Sequence, residues 1–440
     1  MAEGDRTSGR RHDERICRVW IFNHYASAPD RPAGTRHYSL ARAVVRRGGE
    51  ATIFASGFSH GGGREVRVRR GALVATQTYS GVGFVWLRTF PYRGNNWRRM
   101  VNMASYAVMV VVTQFGRPAP DVVVGSTVHP FAALAGWAVA KLRRARFFYE
   151  VRDLWPQTLI DLGAMRANGL GARMLYAIES FLVRRAEVVI ALLPGMTTYL
   201  DERGLPSDHV HYLPNGADTA DAPGFADAAR EEDAFDDNLA DLAAGRAAGE
   251  VVFLYLGAHG RVNSLDVVLR AWPIATNRTT TPIRLILIGD GPEKPALERL
   301  ASDLRLTTAE LRAPVPKYQV PALLAAVDVG IVHTTYTPVY RYGVSFNKLF
   351  DYMSAGLPVA FATSTAFDPI EASGAGLTVA PDDPDALADA IVKLADASPA
   401  DRRRMGQAGR RYVEKEHDMA KIGASFADLV GCPAATPGRR

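Results

Sequence analysis

Apolar runs alternate with amphipathic stretches along almost the whole chain, and their periods predict strands and helices in turn. Residues 16–23 (ICRVWIFN) read as a buried strand, followed by a loop rich in Pro, Gly and Ser. Residues 36–47 place Leu40, Ala43, Val44 and Val45 on one helical face; Gly48 and Gly49 end that helix, and residues 51–55 form the next strand. The first crossover loop of this βαβ unit is long, and such a loop in a compact unit usually carries function. Residues 100–112 form a strongly apolar helix. A core helix and an amphipathic membrane contact both account for it, and the core reading is favoured because a parallel sheet needs helices on both faces. Strands at 121–125, 146–151 and 188–192 and helices at 130–142 and 197–203 complete this half.

A turn at Pro214, Asn215 and Gly216 closes the first unit. Residues 217–250 carry 10 acids and 2 arginines and read as a mobile interdomain insertion. A second alternation begins at residues 251–256, where Gly257 and Gly260 permit a tight turn before a helix near 265–272. Strands at 285–289 and 329–332 follow. Residues 347–355 put Leu349, Phe350 and Met353 at helical spacing, Gly356 and Pro358 stop that helix, and 359–362 begin a strand. Helices at 384–395 and 399–415 and a last segment at 417–430 end the fold.

At 440 residues the chain can hold two full cores, and 48% hydrophobic with 22% charged residues is an ordinary soluble composition. Cys17 and Cys432, at opposite ends, suggest neither a disulfide framework nor a metal knuckle, which fits the cytoplasm. Residues 1–15 are charged and read as a disordered tail, not a signal peptide. No apolar run reaches the length of a membrane span. Residues 1–215 hold 29 Lys and Arg against 16 Asp and Glu, a net of +13. That excess suits either a solvated face or peripheral contact with an anionic membrane. Nucleic acid is not expected, because basic and aromatic residues do not interleave in a binding module.

Candidate chemistry gathers at two places. Ahead of Asn347 a helix N-terminus is exposed at a strand-rich edge, and its free N–H groups and dipole beside Lys348 suit a diphosphate. Asp351, one turn on, can accept from two ribose hydroxyls; an amphipathic helix with a surface lysine and aspartate is the alternative. The strand at 146–151 runs into Glu150, Val151, Arg152 and Asp153, and polar groups at that end of a parallel strand face a ligand crevice. Asp153 and Glu150 could orient or deprotonate a substrate, whereas Arg152 stabilises negative charge but cannot act as a base. Asp153 could equally cap a helix beginning at Leu154.

The stretch 342–359, YGVSFNKLFDYMSAGLPV, resembles the core motif of the retaining glycosyltransferases of family 4, whose pattern is Glu, seven residues, Glu, then Ala-Met-Ala-x-Gly-x-Pro-Val. Asp351 stands at the second Glu and Gly343 at the first. The variant Asn-Lys-Leu-Phe-Asp-Tyr-Met is similar to a subgroup acting in O-antigen and capsule assembly, typified by N-acetyl-fucosamine transferases. HYLPNGAD at 211–218 matches the turn that ends the first domain of that family, and Arg152 stands where the family has His. Ala258 and Asn263 fall where its diphosphate-binding Arg and Lys stand, so Arg261 and Lys348 are the substitute cations.

The resemblance implies an α/β chain of the GT-B fold, two Rossmann-like domains facing across a cleft. An acceptor domain would span 16–216, the insertion 217–250 and a donor domain 251–416, with a helix at 417–430 crossing back to the first. It implies metal-independent transfer, without a cofactor, from a UDP-linked or other nucleotide diphosphate sugar, with retention and front-face attack. The acceptor would be a glycan, lipid-linked at the inner face of the plasma membrane, or a soluble small molecule. Gly257, Gly260, Arg261, Val315, Ser345, Asn347, Lys348, Leu349 and Asp351 would bind donor, with the base near 313–316. Gly34, Thr35, Arg36 and His129 would serve the acceptor or phosphate, and Arg152, Asp153 and Glu150 the chemistry. A nucleotide-sugar epimerase and an inactive nucleotide-binding partner are the competing functions.

Overall fold

The computed structural model describes residues 16–30, 35–59, 64–92, 94, 97–127, 129–218 and 233–432. The tail at 1–15, Gly34 and part of the acidic stretch lie outside them. The strands in chain order are β1 Arg18–Phe22, β2 Glu50–Ser56, β3 Phe58–Ser59, β4 Arg64–Glu65, β5 Val74–Tyr79, β6 Val82–Leu87, β7 Val122–Thr127, β8 Arg146–Val151, β9 Val188–Ala191 and β10 Val210–Tyr212. The second half adds β11 Val251–Leu256, β12 Ile283–Ile288, β13 Ala309–Arg312, β14 Val329–His333, β15 Val359–Ala362 and β16 Gly376–Val379.

Two separate sheets result. The first has the order β10-β9-β8-β7-β1-β2-β6-β5 and the second β13-β12-β11-β14-β15-β16, while β3 and β4 pair alone. All pairings in the two large sheets are parallel except β5 with β6. That hairpin is not anticipated from the sequence. It turns on Ser80 and Gly81, both with positive φ (47° and 83°), the requirement of a tight two-residue hairpin. Among the parallel strands the order switches direction between β1 and β7 in the first sheet and between β11 and β14 in the second, and ligands of open parallel sheets bind at the strand carboxyl ends beside such switch points.

Strands such as β7 and β11 are buried along nearly their whole length because helices cover both faces. On one face of the first sheet lie the helices Trp97–Thr113 and Pro130–Arg143, burying Met103, Tyr106, Val110, Ala133 and Val139. The core-helix expectation therefore holds for one side of Trp97–Thr113. On the other face the helix Arg36–Arg46 packs with Met419–Leu429, whose Ile422 and Phe426 join the core of the first half.

Two expectations fail here. Cys17 and Cys432 form a disulfide: the returning helix brings a residue 415 positions away beside β1, a proximity with no local signature. The acidic stretch is not a structureless insertion over Asp233–Ala247, which is a helix. Leu242 anchors it in the second core, and Asp241 pairs with Arg284 and Arg312 at 2.7 Å each. Among the described residues no helix is long and apolar enough to cross a membrane.

Candidate active site

The facing carboxyl edges of the two sheets enclose a cleft of about 890 Å³. Its second-domain wall is built by two interlocked glycine turns. Gly257, after β11, has φ +151°, and a Cβ on Gly289, after β12, would lie 1.8 Å from the Gly257 carbonyl oxygen. A Cβ on Gly257 itself would come within 3.1 Å of the Lys348 ammonium. Glycine at 257 thus leaves the lysine room to lie against the turn.

Lys348 is on the helix Asn347–Ser354, which starts behind Phe346 with no side-chain cap, leaving its N-terminus open to the cleft. Its Nζ donates to the Tyr255 hydroxyl at 2.7 Å and the Asn263 side-chain oxygen at 3.1 Å. Tyr255 and Asn263 in turn donate to the carbonyl of Ala258. Burial pushes the Lys348 ammonium down to about 7. The site thus holds a cation short of anionic partners, which a diphosphate would supply. Asp351 also lines the cleft, paired with Lys317 at 2.7 Å. Val315, Ser345 and Asn347 line it as well. Ser345 fastens the halves together, its Oγ accepting from the Asn215 amide at 3.0 Å and its carbonyl from the Asn215 side chain at 2.7 Å.

The first-domain wall carries Arg152 and Asp153. Arg152 Nε is buried without a hydrogen-bond partner among the described residues. Asp153 has surface open to the cleft, yet protein on both sides raises its carboxyl, with Arg152 pulling the other way. It caps no helix, since the next one begins at Gln157 behind Pro156.

Glu150 corrects the expectation of a free carboxylate. Its side chain is 1% exposed, and its two oxygens accept from Arg36 Nε at 3.0 Å and His37 Nε2 at 2.5 Å. Burial alone would raise Glu150, but His37 and Arg36 outweigh it and hold the carboxyl well below its usual range. The Asn23 amide donates to His37 Nδ1 at 2.8 Å, so the imidazole is neutral with its proton on Nε2; burial lowers it accordingly. Arg36 spends its remaining donors on the carbonyls of Leu213 (2.7 Å) and Pro214. It braces the turn before the second domain and does not line the cleft. Thr35 lines only a small cavity of about 40 Å³ behind the cleft.

Three donor-side expectations are likewise corrected. Leu349 is fully buried in the second core, and its amide is taken by the Phe346 carbonyl at 3.1 Å. Arg261 starts a 3-10 turn that points it to solvent, away from the cleft lining. Gly260 is extended, and only Asn263 lies near where its Cβ would be, at 3.9 Å, so sterics do not demand glycine there. His129 is 1% exposed and bonded through Nε2 to His24 at 2.9 Å; burial, helped by Arg99, lowers it to about 3, so it is neutral. Sequence reasoning missed Lys317, Tyr255 and Asn215; only the nearness of Lys317 to the 313–316 turn could have marked one of them. Among the described residues no group of three His, Cys, Asp or Glu side chains could hold a metal ion.

Gly343, with φ +105°, sits at a close contact between the halves: its Cβ would lie 2.5 Å from Pro194 Cδ. Beside it Val339 and Tyr342 enter the core of the first half, Gly195 N donates to the Tyr342 carbonyl at 2.8 Å, and the Tyr342 hydroxyl donates to Glu202 at 2.5 Å.

A family model described as Glycosyl transferase 4-like domain matches residues 33–216, and one described as Glycosyl transferases group 1 matches residues 250–397. The probable glycosyltransferase WbjE of Pseudomonas aeruginosa is 22% identical over 283 residues, 64% of this chain and 66% of that protein. Among solved structures, sucrose-phosphate synthase from Thermosynechococcus elongatus superposes with a TM-score of 0.70 at 17% identity, covering 94% of this chain and 98% of that one. Anabaena HepE in complex with UDP and glucose does so with a TM-score of 0.64 at 15% identity, covering 95% and 100%. Both halves match one enzyme family in order, and the two opposed sheets take the architecture of these structures: the chain belongs to the family 4 glycosyltransferases of the GT-B fold.

Proposed function

We propose that this glycosyltransferase moves a sugar from a UDP-sugar to an acceptor with retention of anomeric configuration and without a metal ion. One observation carries the reading: Lys348 is held by neutral partners at an uncapped helix N-terminus against the Gly257 turn. A diphosphate placed there meets N–H groups, a helix dipole and an ammonium, and the negative charge that grows on it as the sugar departs is stabilised by all three. Asp351 would take the ribose hydroxyls, and the backbone near Val315 the base. UDP is favoured because HepE, of the same fold, was solved with UDP and glucose.

Asp153 and Arg152 face the reacting region from the first domain. Asp153 would orient the acceptor hydroxyl, whose proton passes to the leaving phosphate in a front-face attack, while Arg152 steadies the charge. The acceptor is proposed to be a polyprenyl-diphosphate-linked glycan of a bacterial polysaccharide, as the resemblance of residues 342–359 to the O-antigen and capsule subgroup suggests, reached by peripheral contact at the cytoplasmic membrane face.

Incubating the protein with UDP-sugars and lipid-linked or soluble acceptors tests this, with UDP release and the product anomer followed by NMR. UDP formed only with acceptor present, an axial or equatorial configuration carried over from the donor, and turnover that survives chelation are expected. An inverted anomer defeats retention, and loss of turnover in chelator defeats metal independence. Interconversion of donors without acceptor would indicate an epimerase, and donor binding without any turnover an inactive partner.

A further inference from the structure

The helix Trp97–Thr113 has two apolar faces. The one not used by the core carries Trp97 (67% exposed), Met100 (47%), Val108 (61%) and Val112 (59%), and Phe115 (66%) extends the line. The spacing of three and four places them on one stripe along a helix roughly 25 Å long. Leu142, 59% exposed on the neighbouring helix Pro130–Arg143, widens it. A contiguous exposed apolar strip marks a surface that something covers.

Charge says what covers it. Between residues 88 and 149 the chain has nine Lys and Arg and a single acid, Asp121, whose carboxylate accepts from the Arg18 amide at 2.8 Å. Arg98, Lys141 and Arg144 stand exposed beside the stripe. An apolar line with exposed cations beside it matches acyl chains beneath anionic headgroups.

The orientation is informative. Arg143 donates to the side chain and carbonyl of Gln114, so the carboxyl ends of the two helices lie together at the sheet edge away from the cleft. The Trp97 end lies at the other edge, where Arg99 is near enough to His129 to help keep that imidazole neutral. We infer that this face docks on an anionic bilayer, with the stripe in the headgroup layer and its Trp97 end at the acceptor side of the cleft. A membrane-borne acceptor rests on the function proposed above; the docking itself does not.

Flotation of the full chain with vesicles of phosphatidylcholine, alone or mixed with phosphatidylglycerol, tests it. Binding is expected to the mixed vesicles only and to fall as salt rises. Val108→Glu with Val112→Glu should lower the vesicle partition constant at least about tenfold, the effect of ~1.4 kcal/mol, with unchanged melting temperature and unchanged UDP-sugar binding in vesicle-free solution. Should that variant fold poorly, Arg98→Glu with Lys141→Glu and Arg144→Glu must lose binding in the same assay. Wild-type protein that ignores the mixed vesicles, or variants that float as well as wild type, would overturn the inference. So would a wild-type dimer that the Val108 and Val112 changes convert to monomer. Absent UDP-sugar binding in vesicle-free solution would count against the proposed function and leave docking untouched.

Discussion

Lys317 Nζ lies 2.7 Å from Asp351 Oδ2, so the carboxylate proposed to hold ribose is already oriented by a cation. Both side chains line the cleft, and the second Asp351 oxygen can take a ribose hydroxyl while the first stays on lysine. Asp351→Ala should raise donor KM roughly tenfold or more while kcat changes less than about threefold, because ribose contacts are the same in ground and transition states. Lys317→Ala should also act mainly on KM, and the double variant should cost less than the two singles summed. Donor titrations of the four proteins check this; a loss confined to kcat would remove Asp351 from the ribose site.

Glu150 is expected to matter for stability more than for chemistry. Glu150→Gln keeps the shape but leaves Arg36 buried without its counter-charge, a change that typically costs about 3–5 kcal/mol. Denaturant melts should show the loss, while the folded fraction keeps most of its kcat. The sign of the pH effect follows from the depressed carboxyl: its contribution is present above the unfolded carboxylate pKa and disappears only as pH falls through the lower folded value. A stable Glu150→Gln variant without activity would restore Glu150 as a catalyst.

What the sequence disclosed and what it hid divide along a physical line. Local signals worked: the helix Asn347–Ser354 has its apolar spacing and its Gly356 and Pro358 stop, and the turns after β11 and β12 show as glycines after apolar runs. Contacts between distant segments leave no such mark. Asn215 meets Ser345 from 130 positions away, and Cys17 meets Cys432 from 415. Proximity in sequence also misled. Arg261 is a cation within the glycine turn, yet its 3-10 turn aims it outward, and Leu349 follows Lys348 but faces the core, as its helical spacing had indicated.

Gly343 should tolerate no side chain. Gly343→Ala meets both a φ of +105° and Pro194 at 2.5 Å, and the helix of contacts around Tyr342 leaves little freedom to shift. A destabilisation of about 2–4 kcal/mol is expected from strain and overpacking together, read as a lower denaturation midpoint. Gly343→Glu, which installs the residue of the common family pattern, should be worse and should not improve donor binding. A Glu variant that folds normally and binds donor more tightly would show that the closeness of the two halves is not fixed.

Lys348 gives the sharpest pH signature. Burial lowers its ammonium to about 7, so the free enzyme is only partly charged there near neutrality. A diphosphate favours the charged form, and donor binding above pH 7 should therefore take up a proton. Donor affinity should fall about tenfold per pH unit once the pH exceeds the free-enzyme value, until the value in the complex is reached. Calorimetry in two buffers of different ionisation enthalpy measures the uptake directly. Stability runs the other way: the unfolded lysine keeps its proton to higher pH than the folded one, so this group's penalty is full below about 7 and is relieved as pH rises toward the unfolded value. Lys348→Met should abolish both the proton uptake and the stability slope, and should lower kcat more than donor affinity, since the contact strengthens as UDP leaves. Proton uptake that persists in Lys348→Met would assign the titration to another group and take Lys348 out of the diphosphate site.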